Sequence, residues 1–322
     1  MPLSGTICCR TGKPARFNDC IQCSLTGKPE PCIHPPHLLV AMKDNEGSRA
    51  DAGLSVTTLL GCHRRAQLAA SHEYYEDPAV MEARFKGTLV HEGMERLLGE
   101  QDGVIVEKRF ARNAWIGDSA ESSVQHTQAI TGKMDMVLLD YEGGARIVDF
   151  KSAGRRSLHP DMVPTQAHVE QVNVYRWILE DGYEVEHTEL HPGDEEGYGR
   201  LTYQAPVNIK VGSAAILYIG DTGMQEVEIP LWPLEMTEQF VADKVNEYAS
   251  MKLSPILPDR VIRKRSTANQ AKIVWGDEDD LIEDDPTPPV QVLPHWMCTN
   301  CALFDICRSL PKEGVSWNDD SD

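Results

Sequence analysis

Three charged residues interrupt two apolar, β-prone runs: Asp135 in I-T-G-K-M-D-M-V-L-L-D, then Asp149 and Lys151 in A-R-I-V-D-F-K-S. The runs flank Tyr141-Glu142-Gly143-Gly144, so Ile130 to Ser152 reads as a β-hairpin. Residues two apart in a strand share a face, which puts Lys151 beside Asp149. If Asp140 sits opposite Gly144, Asp135 lies across from Asp149, roughly 5 Å away. A slip of one residue would send one carboxylate to the opposite face. Two carboxylates and an ammonium on one patch suit a hard divalent cation held by oxygens, with the lysine placed to orient or deprotonate a water. The bland reading is a solvated edge hairpin. G-x-x-D followed by D-F-K, with Ile147 and Val148 alongside, weighs against it.

Other elements must bring partners to that patch. Ser55 is the expected N-cap of a helix starting near Leu54 and containing Cys62. Pro78 to Glu100 reads as a second helix with an apolar stripe of Phe85, Leu89, Leu97 and Leu98, beside which His91 falls. V-I-V-E-K-R-F is strand-like. After the hairpin, Q-A-H-V-E-Q-V-N-V-Y-R-W-I-L-E has helical period and sets Gln171 and Tyr175 on one face. Residues 183–231 read as further strands that extend the sheet, and Leu234 to Lys252 as an amphipathic helix. Arg155 and Arg156 follow the lysine, and Arg263, Lys264 and Arg265 close a second basic cluster; both are candidates for a phosphate backbone.

The 322 residues are 41% hydrophobic and 25% charged, which fits a soluble globular protein. No apolar run is long enough to cross a membrane and no secretion signal is evident, so the expectation is a cytoplasmic protein. A formal charge of -19 argues against a nonspecific coat on nucleic acid, though a carboxylate site filled with ions still admits phosphate. Nine cysteines at short spacings favour metals over disulfides. In residues 1–40, Cys20-x-x-Cys23 is a two-ligand knuckle that Cys32 and Cys8 or Cys9 would complete; Cys9, Cys20, Cys23 and Cys32 are the candidate zinc quartet. T-G-K-P follows a cysteine at Thr11 and again at Thr26, as in two similar half-sites. The segment is too small and polar to fold on apolar burial alone. Cys298, Cys301 and Cys307 cluster near the other end, where four thiolates including Cys62 suit zinc or iron–sulfur.

In this order the motifs resemble the PD-(D/E)XK nuclease superfamily in its RecB-like branch: Gly87-x-x-x-His91, Gly132-x-x-Asp135, Asp149-x-Lys151 and Gln171-x-x-x-Tyr175. The ordered set also resembles the CRISPR-associated RecB-like exonuclease family and its phage and archaeal-virus relatives. The resemblance implies an α/β fold with a restriction-endonuclease-like core, a mixed sheet flanked by helices. It implies Mg²⁺ or Mn²⁺ on His91, Asp135, Asp149 and the Phe150 carbonyl, with Gln171 fixing Lys151 and Tyr175 contacting the substrate strand. It also implies a [4Fe-4S] cluster on Cys62, Cys298, Cys301 and Cys307. The expected layout is a zinc-binding leader (1–40), a nuclease domain (50–312) and an acidic tail (313–322). The expected activity is a metal-dependent deoxyribonuclease, an exonuclease on single-stranded ends, serving phage recombination or repair or CRISPR spacer processing. The leader departs from the family pattern and is a candidate surface for a protein partner. The competing expectation is a non-catalytic DNA-binding or assembly module with structural metals.

Overall fold

The computed structural model describes residues 3–26, 32, 34–47, 54–99, 101–115, 127–139, 141, 143–153, 163–188, 200–220, 223–253, 261–265, 271–275, 291–293 and 301–303. In chain order the elements are β1 (Leu3–Ile7), β2 (Pro14–Arg16), α1 (Phe17–Thr26), α2 (Pro36–Gly47), β3 (Leu54–Ser55), α3 (Val56–Leu60), α4 (His63–Ser71), β4 (Tyr74–Glu76) and α5 (Pro78–Leu98). Then follow β5 (Val104–Trp115), β6 (Thr127–Leu138), β7 (Ala145–Ala153), α6 (Gln166–Glu180), β8 (Gly182–Thr188), β9 (Arg200–Val207), β10 (Val211–Gly220), β11 (Gly223–Glu228) and α7 (Leu234–Leu253). The last elements are β12 (Val261–Arg265), β13 (Ala271–Trp275) and β14 (Gln291–Leu293). No helix among the described residues is long and apolar enough to cross a membrane.

The chain forms two compact units. One comprises Gly5–Gly61 and Glu76–Ala249; the other comprises Met1–Ser4, Cys62–Tyr75 and Ser250–Asp322. The first is built on a sheet ordered β11-β10-β7-β6-β5-β8-β9, with β3 pairing β6. Most neighbours are antiparallel, but β7 and β10 are parallel, so the sheet is mixed. A parallel pair needs a crossover, and α6 lies within it. That helix is buried nearly all round, Val172, Trp177, Ile178 and Leu179 included, and packs on the sheet and on α3. The second unit contains α4 and an antiparallel sheet ordered β13-β12-β14.

The central hairpin forms as expected, and its turn shows why two glycines are needed. Gly143 and Gly144 have φ of 84° and 132°, where a side chain is strained. A Cβ on Gly144 would also stand 2.9 Å from the Lys210 carbonyl oxygen next to β10.

Two expectations for the helices need correction. The single helix expected from Leu54 is two. Ser55 caps α3, its hydroxyl accepting from Thr58 N at 3.1 Å. Gly61 is then extended, at φ -90° and ψ -169°, and Cys62 becomes the N-cap of α4 rather than a residue within a helix. A glycine costs most in a helix interior, so the chain breaks there. The stripe assigned to α5 is also not its buried face: Leu89 is 50% exposed and Leu97 72%, while Pro78 and Met81 are buried. Helical period identifies a face without saying which face is covered.

Candidate functional site

Strands β6 and β7 pair with Met136 opposite Val148, Val137 opposite Ile147 and Leu138 opposite Arg146. One further step of that register sets Asp135 across from Asp149, the alignment that the Gly-Gly turn requires. There the ladder gives way to a side-chain bond: Phe150 N donates to Asp135 Oδ2 at 2.7 Å. The backbone of β7 thus fixes the carboxylate of β6.

Asp149 is 1% exposed. Lys151 Nζ lies 2.6 Å from its Oδ2, which has no other partner among the described residues, and Gln171 Nε2 donates to its Oδ1 at 3.3 Å. Burial pushes this carboxyl up to about 7, against the pull of the Lys151 ammonium. His91 enters from α5, with Nδ1 3.2 Å from Asp135 Oδ1 and 2.9 Å from Glu107 Oε1. Held by Asp135 and then Glu107, the imidazole is pushed up to about 10. With no metal bound, an imidazolium supplies the positive charge between two carboxylates.

The sequence reading missed Glu107. Val106 pairs Met136 and Lys108 pairs Met134, so Glu107 stands opposite Asp135 on the far side of β6 from Asp149. Its φ is +54°, a left-handed value in mid-strand that costs on the order of 1 kcal/mol for a residue with a side chain. The side chain is 4% exposed, with Oε2 on Lys133 Nζ at 2.6 Å. Burial pushes its carboxyl up, but His91 and Lys133 together outweigh that and hold it below its ordinary value. An acid inside the apolar run V-I-V-E-K-R-F was the signal available.

Gln171 and Tyr175 play different parts from those expected. Gln171 Nε2 donates to Tyr175 Oη at 2.7 Å and to Asp149, so it braces the carboxylate rather than the lysine. Tyr175 is 5% exposed, which puts it in the core and not on the path of a substrate strand. Its ring fills the space a side chain at position 132 would take: a Cβ on Gly132 would lie 2.9 Å from Tyr175 Cδ1 and Cε1. The glycine of G-x-x-D and the tyrosine of Q-x-x-x-Y are therefore two sides of one contact. On the other side of Lys151, Tyr218 of β10 is its strand neighbour and bonds His168 Nδ1 at 2.7 Å.

The donor set suits a hard divalent cation: three carboxylates on adjacent strands, an imidazole, and a buried Asp149 Oδ2 whose single partner is an ammonium. The remaining candidates lie elsewhere. Cys62 and Cys301 belong to the other unit, as do Arg263, Lys264 and Arg265 on β12. Arg155, Arg156, Cys298 and Cys307 lie outside the described residues.

A second constellation lines a cavity of about 200 Å³ in the same unit as the active site: Cys8, Cys9, Cys20, Cys23, Cys32 and His34. Cys9 and Cys32 place their sulfurs 3.6 Å apart. Burial, followed by the neighbouring thiols, pushes Cys20 up to about 11. Cys8 is lowered by hydrogen bonds from the Thr11 side chain and the backbone of Arg10 and Thr11. Of the two T-G-K-P copies, Thr11 lies in the β1–β2 connection and Thr26 ends α1, while Gly27 to Pro29 lie outside the described residues.

Fold and site together define an α/β protein whose central hairpin carries a carboxylate–carboxylate–lysine core. The chain belongs to the PD-(D/E)XK nuclease superfamily: the family model of that description matches residues 104–308. Asp135, Asp149, Lys151, Gln171 and Tyr175 fall inside the match, and His91 and Cys62 precede it. No curated protein matches the chain. A solved structure titled "Crystal structure of SSO0001" is similar at 14% identity and a TM-score of 0.42, over 65% of this chain and 82% of its own. Membership points to a nuclease.

Proposed function

We propose that this nuclease is a RecB-like, metal-dependent deoxyribonuclease acting on single-stranded DNA ends, in phage recombination or repair or in CRISPR spacer processing. The observation that carries the reading is the convergence of His91, Asp135, Asp149 and Lys151 from α5, β6 and β7. Mg²⁺ or Mn²⁺ would be held by His91, Asp135, Asp149 and the Phe150 carbonyl. When bound, such an ion supplies Lewis acidity at the scissile phosphate and a nucleophile at neutral pH. Asp149 keeps Lys151 on the site, where the ammonium orients the attacking water or offsets charge developing on the phosphate. Gln171 holds Asp149 in place through Oδ1. Arg155 and Arg156, directly after the lysine, and the basic run ending at Arg265 would track the DNA backbone.

The same proposal gives each cysteine set a metal. Cys62 and Cys301 fall in one compact unit, and Cys62 caps α4, where the helix dipole favours a thiolate; with Cys298 and Cys307 they would hold a [4Fe-4S] cluster. The leader would hold zinc on Cys20, Cys23, Cys32 and one of Cys8 and Cys9. Donors aimed at its sulfur favour Cys8, and the 3.6 Å sulfur contact with Cys32 favours Cys9.

The test is cleavage of 5′- and 3′-labelled single-stranded DNA with Mg²⁺, Mn²⁺ or EDTA. Asp149→Ala and Lys151→Ala should each lower the rate by about a thousandfold or more while leaving the iron–sulfur absorbance unchanged. Undiminished cleavage by either purified variant would end the assignment.

A further inference from the structure

We propose that Glu107 is itself a ligand of the divalent ion, beside His91 and Asp135. The inference rests on the metal-dependent reading above and adds a ligand that the family pattern lacks. Two ligands about 2.1 Å from an octahedral ion and adjacent on its shell stand roughly 3.0 Å apart. His91 Nδ1 lies 2.9 Å from Glu107 Oε1 and 3.2 Å from Asp135 Oδ1, which matches two such edges. These three ligand atoms all lie within 4.8 Å of one another, and no other three His, Cys, Asp or Glu side chains do so among the described residues.

The anchoring points the same way. Asp135 has Oδ2 fixed by Phe150 N, and Glu107 has Oε2 fixed by Lys133 Nζ. In both, the other oxygen converges on His91 Nδ1. A carboxylate serving only as the partner of Lys133 would have no need to be 4% exposed beside a lysine that is 48% exposed. The β5–β6 register sets Glu107 across from Asp135, and its backbone there is left-handed.

The rival reading is that Glu107 merely orients the imidazole, and the two separate in a double-mutant cycle. Mn²⁺ would be titrated into the full chain without DNA, by calorimetry and by the EPR signal of free Mn²⁺. The proteins are wild type, Glu107→Gln, His91→Ala and the double variant. A ligand loses at least tenfold in affinity on Glu107→Gln, and the double variant binds at least tenfold more weakly than His91→Ala alone. A double variant equal to His91→Ala overturns the proposal, because Glu107 would then act only through the histidine. Normal affinity in Glu107→Gln overturns it too. Glu107→Asn, which tolerates a left-handed backbone, is the second neutral variant, and thermal unfolding in EDTA shows which variants are folded. If wild type binds no Mn²⁺, the metal-dependent reading falls along with this one; if wild type binds and the Glu107 variants match it, only this one falls.

Discussion

The molecule holds two clusters of side chains able to ligate a metal in one compact unit, built in different ways. Glu107, Asp135 and Asp149 hang from a sheet, and His91 from α5 beside it, and the ladder bonds and core of that sheet exist whether or not an ion binds. Each carboxylate is already anchored, by Phe150 N, Lys133 or Lys151. The cysteines of the leader sit on a hairpin turn, on α1 and near the start of α2, around a cavity that Ile7, Ala15, Leu39 and Pro78 also line. In the sheet the fold makes the site. In the leader a metal would add to the fold, since burial pushes Cys20 toward the neutral thiol and a bound cation would reverse that.

The largest expected effect breaks the two apart. Cys20→Ser with Cys23→Ser should cost the leader local stability on the order of 5 kcal/mol or more, if a structural zinc is lost. Hydrogen exchange should then show amide protection lost across β1 and α1 and retained in β6 and β7. Asp149→Ala should do the reverse, abolishing cleavage with protection unchanged in both regions. Joint loss in either variant would mean that the two clusters are not independent.

A smaller effect tests how firmly the sheet positions its carboxylates. Gly132→Ala drives a methyl to 2.9 Å from the Tyr175 ring, and Tyr175 is pinned by Gln171 and packed on Ile178, so the ring has little room to retreat. Overpacking of this kind costs about 1–3 kcal/mol. The denaturation midpoint should fall, and cleavage with it, because a displaced Tyr175 drags Gln171 off Asp149. A midpoint unchanged from wild type would show that the sheet yields more than its packing implies.

That contact marks where the sequence was legible and where it was not. Alternation of apolar and charged residues exposed the hairpin, and the Gly-Gly turn set its register. Helical spacing put Gln171 and Tyr175 on one face. None of this could show that Tyr175 lies under Gly132, since that contact joins segments distant in sequence through a crossover. Glu107 was hidden for a related reason: its place depends on the β5–β6 register and on a φ that ordinary strands avoid. The break at Gly61 was missed because Leu54 to Ala70 keeps an unbroken helical pattern.

The smallest effect concerns protons, and here the site contains its own contrast. His91 is pushed up to about 10 by Asp135 and Glu107, so its contribution is present below about pH 6.5 and is lost as pH rises through 10. His168 is pushed down to about 4 by burial and then by Lys151. Between pH 6.5 and 4 the unfolded chain protonates this ring and the folded chain does not, so stability falls as pH falls through that window. Asp149 titrates near 7 in the fold and well below that when unfolded, which slopes the other way across the same range. Absolute stability would therefore mislead, and the difference between wild type and His168→Gln isolates the ring. Urea midpoints in EDTA at pH 7 and pH 5 should show the variant losing less on acidification, on the order of 0.5 kcal/mol per pH unit once solvent screening of a half-buried ring is allowed for. Parallel losses in the two proteins would mean that His168 takes up its proton in the fold. The Tyr218 bond would then not hold a neutral ring beside the lysine.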